Sequence, residues 1–194
     1  MNLDEQTALR GQLHSADDTA CEAAAVALGQ QGESGVAVLA DLLVSAESDL
    51  RFWAVRGLWA NASPEAVTLL IQALADQEEL VRSGAALVLG ELKAEPAVPE
   101  LAHLLLTDPT ASGNHAADAL AKIGPPAAPV LIKALQAEQS WVRVRAAKAL
   151  VPLESRAAIP ALFHALDDDS YMVRHHAAAA LARLGVGQMV YFRV

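Results

Sequence analysis

Side chains that could bind a metal ion or a ligand occur in pairs of adjacent residues, and these pairs recur at a regular spacing along the sequence. The pairs are Cys21-Glu22, Phe52-Trp53, Ser83-Gly84, Asn114-His115, Val144-Arg145 and His175-His176. A histidine beside an acid could bind a metal ion, but no pair joins these two residue types. Adjacent side chains on a helix point about 100° apart, so His175 and His176 are poorly placed to hold one ion. We therefore expect no metal site and no bound cofactor.

Residues for nucleophilic or acid–base catalysis are also missing from the sequence pattern. Cys21 is the single cysteine, and its neighbour Glu22 does not favour a thiolate. There is no glycine-rich phosphate loop and no nucleophile elbow. The acidic runs Glu78-Glu79 and Asp167-Asp169 are typical of solvated turns. We expect no catalytic residue in this chain.

Four arginines occupy one column of the sequence: Arg51, Arg82, Arg143 and Arg174. They could form a cationic ladder for a ligand, or each could pair with an acid of a neighbouring turn, such as Asp76 or Asp168. We expect the second arrangement. Gly113 stands where the fourth repeat should carry its arginine, so we expect this junction to be the loosest.

A repeat of 30 or 31 residues must position these side chains, because two leucine series return at that spacing. The first series is Leu28, Leu58, Leu89, Leu120, Leu150 and Leu181. The second is Leu13, Leu43, Leu74, Leu105, Leu135 and Leu166. Apolar residues around each leucine recur at helical spacing, as Val81, Ala85 and Leu89 do. The sequence predicts two helices per repeat and about twelve helices in an all-α protein.

Glycine, proline and aspartate mark the helix ends at matching positions of the repeats. We expect left-handed glycine caps after first helices at Gly29, Gly90, Gly124 and Gly185. Prolines are expected in the first turn of second helices at Pro99, Pro129 and Pro160. Aspartates are expected as N-caps or dipole partners of first helices at Asp76, Asp108 and Asp168.

The segments Val81–Leu92 and Ala97–Leu105 resemble HEAT-like repeats, in the short version first noticed in bilin lyases of phycobilisomes. The resemblance runs from about Ala20 to Gly185. It implies a right-handed α-solenoid of HEAT-like helix pairs. We expect a single repeat solenoid over residues 1–186, in which residues 1–14 form an N-terminal half repeat that caps it. Residues 187–194 are expected to form a C-terminal tail or lid.

The resemblance further implies that second helices line a concave face, on which two columns should face solvent. One is polar and chemically mixed: Asp41, Gln72, His103, Lys133 and His164. The other would expose apolar residues in a row: Val38, Leu69, Glu100, Val130 and Ala161. Exposed apolar residues beside mixed polar ones favour a groove for a protein or peptide partner over a simple solvated face.

Four further residues are secondary binding candidates: Trp53, His115, Arg145 and His176. Phe52, Trp53 and Trp59 could pack against an adjoining helix or anchor a partner, and packing is the commoner arrangement. Deoxyhypusine hydroxylase, another HEAT-like protein, carries His-Glu pairs in this register that hold iron. No such pair stands here, which again predicts no metal site.

The charge distribution limits the partners, since the net charge is −9. Residues 1–97 hold 15 acids and 5 bases, whereas residues 98–194 hold 8 acids and 9 bases. An acidic surface repels phosphate backbones, so nucleic-acid binding like that of HEAT-like glycosylases is disfavoured. No apolar run is long enough to cross a membrane. With one cysteine, we expect a cytoplasmic protein.

Two functions follow from these observations. The first is a non-catalytic protein–protein interaction scaffold that binds a protein or peptide on its concave face. The alternative, implied by the resemblance, is a bilin lyase-like protein that handles a tetrapyrrole chromophore. His103, Lys133, His164 and Arg145 could then pair with the carboxylates of the chromophore.

Overall fold

A computed structural model describes residues 3–186, with side chains from Glu5 onward. This part of the chain forms twelve α-helices and contains no β-strand. The predicted tail at residues 187–194 lies outside it. None of the helices found between residues 3 and 186 combines the length and apolarity that crossing a bilayer requires.

The chain divides into two compact units, residues 1–92 and 93–194. The helices of the first unit are α1 (Leu3–Gln12), α2 (Asp18–Gly29), α3 (Glu33–Leu43), α4 (Ser48–Asn61), α5 (Pro64–Ala73) and α6 (Glu79–Glu91). Those of the second unit are α7 (Val98–Thr107), α8 (Ala111–Ile123), α9 (Ala128–Ala134), α10 (Ser140–Leu153), α11 (Ile159–Ala165) and α12 (Tyr171–Arg183). In the second unit a short 3-10 turn leads into each of α7, α9 and α11.

The leucines of the first series form the core of both units, since none is more than 1% exposed. The second series is less deeply buried, and Leu43 and Leu166 are only half-buried. The deepest leucine of each second helix lies one turn earlier. These leucines, all fully buried, are Leu39, Leu70, Leu101, Leu131 and Leu162.

The helix ends confirm part of the predicted punctuation. Proline occupies the first turn of α7, α9 and α11 as expected. Gly124 and Gly185 have the left-handed φ values of 91° and 75° that a glycine cap requires. The prediction is wrong for Gly29, which lies inside α2 where a Cβ atom would stand 2.0 Å from the carbonyl oxygen of Gly57 in α4. That glycine permits close helix packing instead of a chain reversal. Gly90 likewise lies within α6, without a left-handed φ.

The aspartates before first helices do not cap them directly. Each accepts a hydrogen bond from the backbone N–H two residues later, at 2.7 to 2.8 Å, and thereby tightens the turn. The residues concerned are Asp76, Asp108 and Asp168. Their carboxylates are thus fixed where a neighbouring arginine can reach them.

Candidate functional site

The arginine column is structural, as predicted. Arg51 donates two hydrogen bonds to Asp76, from Nε to Oδ2 at 2.7 Å and from Nη2 to Oδ1 at 2.9 Å. Arg143 grips Asp168 in the same way, at 2.6 and 3.0 Å. Hydrogen bonding from Arg143 holds the pKa of Asp168 below its ordinary value. Because these guanidinium groups are satisfied within the protein, they offer no ladder for a ligand.

The other two arginines of the column close the turns that carry these aspartates. Arg82 Nη1 donates to the carbonyl oxygen of Asp76 at 2.8 Å. Arg174 Nη1 donates to the carbonyl oxygen of Asp168 at 2.6 Å. The column therefore fixes the turns between helices.

The junction at Gly113 is not left open, because Arg145 of the following repeat fills it. Its guanidinium donates to the carbonyl oxygens of Asp108 at 2.6 Å and Thr110 at 2.7 Å, and to Asn114 Oδ1 at 2.7 Å. The prediction of a loose junction did not include Arg145, which takes the place of the arginine absent at Gly113. Arg145 is only 7% exposed, so the prediction that it contacts a partner is wrong. Its side chain closes the turn in place of the missing arginine.

The polar column on the second helices is exposed in every repeat. Asp41 and Gln72 lie on α3 and α5 of the first unit, and His103, Lys133 and His164 on α7, α9 and α11 of the second. This column is accessible to a partner.

The apolar column is less accessible than expected. Val38 is buried, at 7% exposed, so its predicted exposure is wrong. Arg10 of α1 lies 3.8 Å from Asp41, which stands three residues after Val38 on α3. Leu69, Val130 and Ala161 are half-buried, and Glu100 is exposed.

A hollow of about 520 Å³ lies in the second unit between α7 and α9. We call it the α7–α9 hollow. It brings together the predicted residues His103, Val130 and Lys133. The other lining residues are mainly apolar: Pro99, Ala102, Leu105, Leu106, Leu120, Leu131, Ala134, Gln136 and Ala137. None of these lining residues is acidic.

Leu106 is the residue at this hollow that sequence reasoning missed. It is a large apolar side chain that is 41% exposed. It stands three residues after His103, on the same face of a helix. The three-residue spacing from His103 is the sequence feature that could have identified Leu106. Lys133 forms no ion pair with any residue between Glu5 and Val186. The rim of the hollow therefore carries an unneutralised positive charge.

The aromatic residues of the first unit combine packing with exposure. The Phe52 and Trp53 rings meet edge to face at 5.1 Å between centroids, and both are half-buried. The Arg56 guanidinium lies 4.8 Å from the centroid of the Trp59 ring, which is 40% exposed. Packing holds these rings without covering them completely.

The histidine candidates are not gathered into one site. His115 is half-buried, and its Nδ1 is buried without a hydrogen-bond partner. Burial, together with the charges of His175 and Lys148, lowers the pKa of His176. Residues 5–186 bring no three histidine, cysteine or acidic side chains together as metal ligands.

The fold of this chain is similar to that of known repeat proteins. A family model described as HEAT repeats matches residues 36–113 and 113–182. The search of curated proteins found no match. An archaeal HEAT-like repeats protein from Thermococcus onnurineus NA1 has a TM-score of 0.62 at 16% identity, over 92% of this chain and 79% of that chain. The predicted fold class, an all-α protein built of HEAT-like helix pairs, is confirmed.

Two solved structures are somewhat more similar in sequence. An engineered protein is 26% identical with a TM-score of 0.53, over 96% of this chain and 98% of that chain. A chain from the complex of CpcE and CpcF of phycocyanin lyase from Nostoc sp. PCC7120 is 25% identical, with a TM-score of 0.54. That match covers 93% of this chain and 77% of the other.

Proposed function

This chain belongs to the HEAT repeat family, and from that premise we propose that it is a non-catalytic scaffold for a protein or peptide partner. The α7–α9 hollow is the observation that carries the proposal. It is concave and mainly apolar, and its ionisable lining residues are His103 and Lys133. Such a combination suits partner recognition, in which one apolar anchor is buried and a polar contact fixes its orientation.

The side chains that line the hollow support one class of occupant. Leu106 and Val130 offer apolar surface for a leucine- or phenylalanine-sized side chain. The Lys133 ammonium group can pair with a carboxylate next to that anchor. We therefore propose that the partner presents a segment in which an apolar residue lies beside an aspartate or glutamate.

Peptides selected by phage display against the full chain provide the test. We expect the selected peptides to combine an apolar anchor with an acid. Replacing Leu106 by Asp should weaken their binding at least tenfold. A carboxylate at the rim would repel the acid of the peptide and would bring water to the site of its apolar anchor. Lys133→Glu should weaken binding as well, and more strongly at low salt than at high salt. Fluorescence anisotropy measures both effects.

The chain offers a matched control for each variant. Met172 of α12 is 44% exposed, close to the 41% of Leu106, and lies outside the hollow. Arg156 is exposed in the same unit and is also absent from the lining. Met172→Asp and Arg156→Glu should leave affinity within twofold. Equal losses in the control variants would contradict the assignment of binding to this hollow.

A tetrapyrrole is the second candidate occupant, favoured by the likeness to a chain of the phycocyanin lyase complex. An apolar hollow with His103 and Lys133 in its lining could hold an extended chromophore and pair with its carboxylates. Mixing the purified chain with phycocyanobilin should then shift the absorbance spectrum, and Lys133→Glu should reduce that shift. An unchanged spectrum would eliminate this candidate and leave the peptide scaffold.

A further inference from the structure

A second hollow, of about 380 Å³, lies within the first unit. The turn after α1 and the first turns of α2, α4 and α6 line it. We call it the α2–α4 hollow. Its lining differs from that of the α7–α9 hollow, because it combines carboxylates, aromatic rings and an exposed leucine: Asp18, Glu47, Asp49, Phe52, Trp53 and Leu80.

Few positively charged groups lie close to the carboxylates of the α2–α4 hollow. Asp18, Glu47 and Asp49 are exposed. Glu47 Oε2 lies 3.6 Å from Nδ1 of His14. Asp18 and Asp49 form no ion pair with any residue between Glu5 and Val186. The hollow therefore carries an excess of negative charge.

No arginine of the first unit lines this hollow to neutralise it. Residues 3–92 contain four arginines and no lysine. Three of the arginines pair with acids outside the hollow: Arg10 with Asp41, Arg51 with Asp76 and Arg56 with Glu22. Arg82 donates to backbone carbonyl oxygens of its own turn. Among residues 5–186, no lysine or arginine forms an ion pair with Asp18 or Asp49, so these two carboxylates are available to a cationic group of a partner.

The aromatic wall makes the hollow more than an acidic cluster. Trp53 is half-buried and is held edge to face against Phe52 at 5.1 Å between centroids. The face of an indole ring attracts cations, most strongly where water is partly excluded. Leu80 is 60% exposed and provides apolar surface for the methylene groups of a long side chain.

We propose that the α2–α4 hollow binds an arginine side chain from a basic segment of a partner protein. A guanidinium group can stack on Trp53 and donate paired hydrogen bonds to Asp49, which an ammonium group cannot do. Asp18 and Glu47 would attract the basic residues that flank this arginine. The proposal is independent of the α7–α9 hollow, whose lining calls for an acidic partner.

The test uses the full chain and a fluorescein-labelled (Gly-Arg)₄ peptide, with (Gly-Gln)₄ as the uncharged peptide. Replacing Asp18 and Asp49 together by Asn should lower the affinity for (Gly-Arg)₄ about tenfold in fluorescence anisotropy. The matched control replaces Glu33 and Glu65 by Gln. Both are exposed acids outside the hollow, so affinity should change less than twofold.

A second variant tests the aromatic contribution. Trp53→Leu retains apolar bulk but removes the indole face, so affinity should fall about threefold. Circular dichroism shows whether Trp53→Leu is folded. If it is not, the surface variants Asp18→Asn and Asp49→Asn still test the proposal.

Three outcomes would overturn the proposal. The first is the absence of (Gly-Arg)₄ binding by the wild-type chain. The second is an equal loss of affinity in the Glu33/Glu65 control, which would show only general attraction to an acidic protein. The third is self-association that the Asp18/Asp49 variant abolishes, which would assign the hollow to a second copy of this chain.

Discussion

Asp168 shows at the scale of one residue how the turns are fixed. Its carboxylate accepts two hydrogen bonds from Arg143 and one from the backbone N–H of Ser170. Asp168→Asn should destabilise the protein by about 1.5–3 kcal/mol at neutral pH, because charged hydrogen bonds are lost. Urea unfolding measures this. Asp118→Asn removes only an exposed pair with Lys148, so about 0.5 kcal/mol or less is expected.

The same aspartate predicts a pH dependence with a definite sign. Its pKa is lower in the folded state, chiefly through hydrogen bonding from Arg143. Its contribution to stability is therefore complete above the pKa of the unfolded chain, about 3.9, and is lost as pH falls through the folded value. The stability difference between wild type and Asp168→Asn should shrink below about pH 4. A difference that grows on acidification would contradict this account.

Alanine substitutions at Gly113 and Gly84 provide a second test at the residue scale. The first should lower the stability of the protein and the second should raise it. At Gly113 a Cβ atom would stand 2.3 Å from both Arg145 Nη1 and the Asp108 carbonyl oxygen. Gly113→Ala should cost about 1–3 kcal/mol. At Gly84 the nearest atom is Val55 Cγ1 at 3.4 Å, so Gly84→Ala should stabilise α6 by about 0.5–1 kcal/mol. Thermal unfolding distinguishes the two; stabilisation by Gly113→Ala would rule out the packed junction.

At the scale of the helix, α7 and α9 each have one face in the core and one at the hollow. Leu101 of α7 is fully buried and does not line the hollow, whereas Leu106 of the same helix is 41% exposed and lines it. Leu101→Ala should lower the free energy of unfolding by about 2–5 kcal/mol. Leu106→Ala should lower it by about 0.5 kcal/mol or less. Similar losses at both positions in urea titrations would mean that the faces are assigned wrongly.

Leucine spacing predicted the helices and their buried faces, because one apolar position per turn determines which side of a helix meets the core. It did not predict the burial of Val38, because the spacing alone does not show how closely the helices pack around that position. Nor could it show that Arg145 replaces the arginine missing at Gly113. Both features depend on contacts between elements distant in sequence. The His103, Val130 and Lys133 positions were predicted because they follow the repeat itself.

At the scale of the whole molecule, the single repeat domain expected over residues 1–186 stays a prediction. Repeats that stack on their neighbours unfold together when the interfaces between them are strong. Thermal unfolding followed by far-ultraviolet circular dichroism and by tryptophan fluorescence should then give coincident transitions. Trp53 and Trp59 report on the first unit, and Trp141 reports on the second. Two separated transitions would show that the units unfold independently.

The scaffold proposal is tested most directly by nuclear magnetic resonance on the ¹⁵N-labelled full chain. A selected peptide that carries an apolar anchor beside an acid is titrated into it. The largest amide shifts are expected in α7 and α9, at residues 98–107 and 128–134, and Leu106→Asp should remove them. If the largest shifts lie in other helices, or persist in that variant, the α7–α9 hollow is not the binding site.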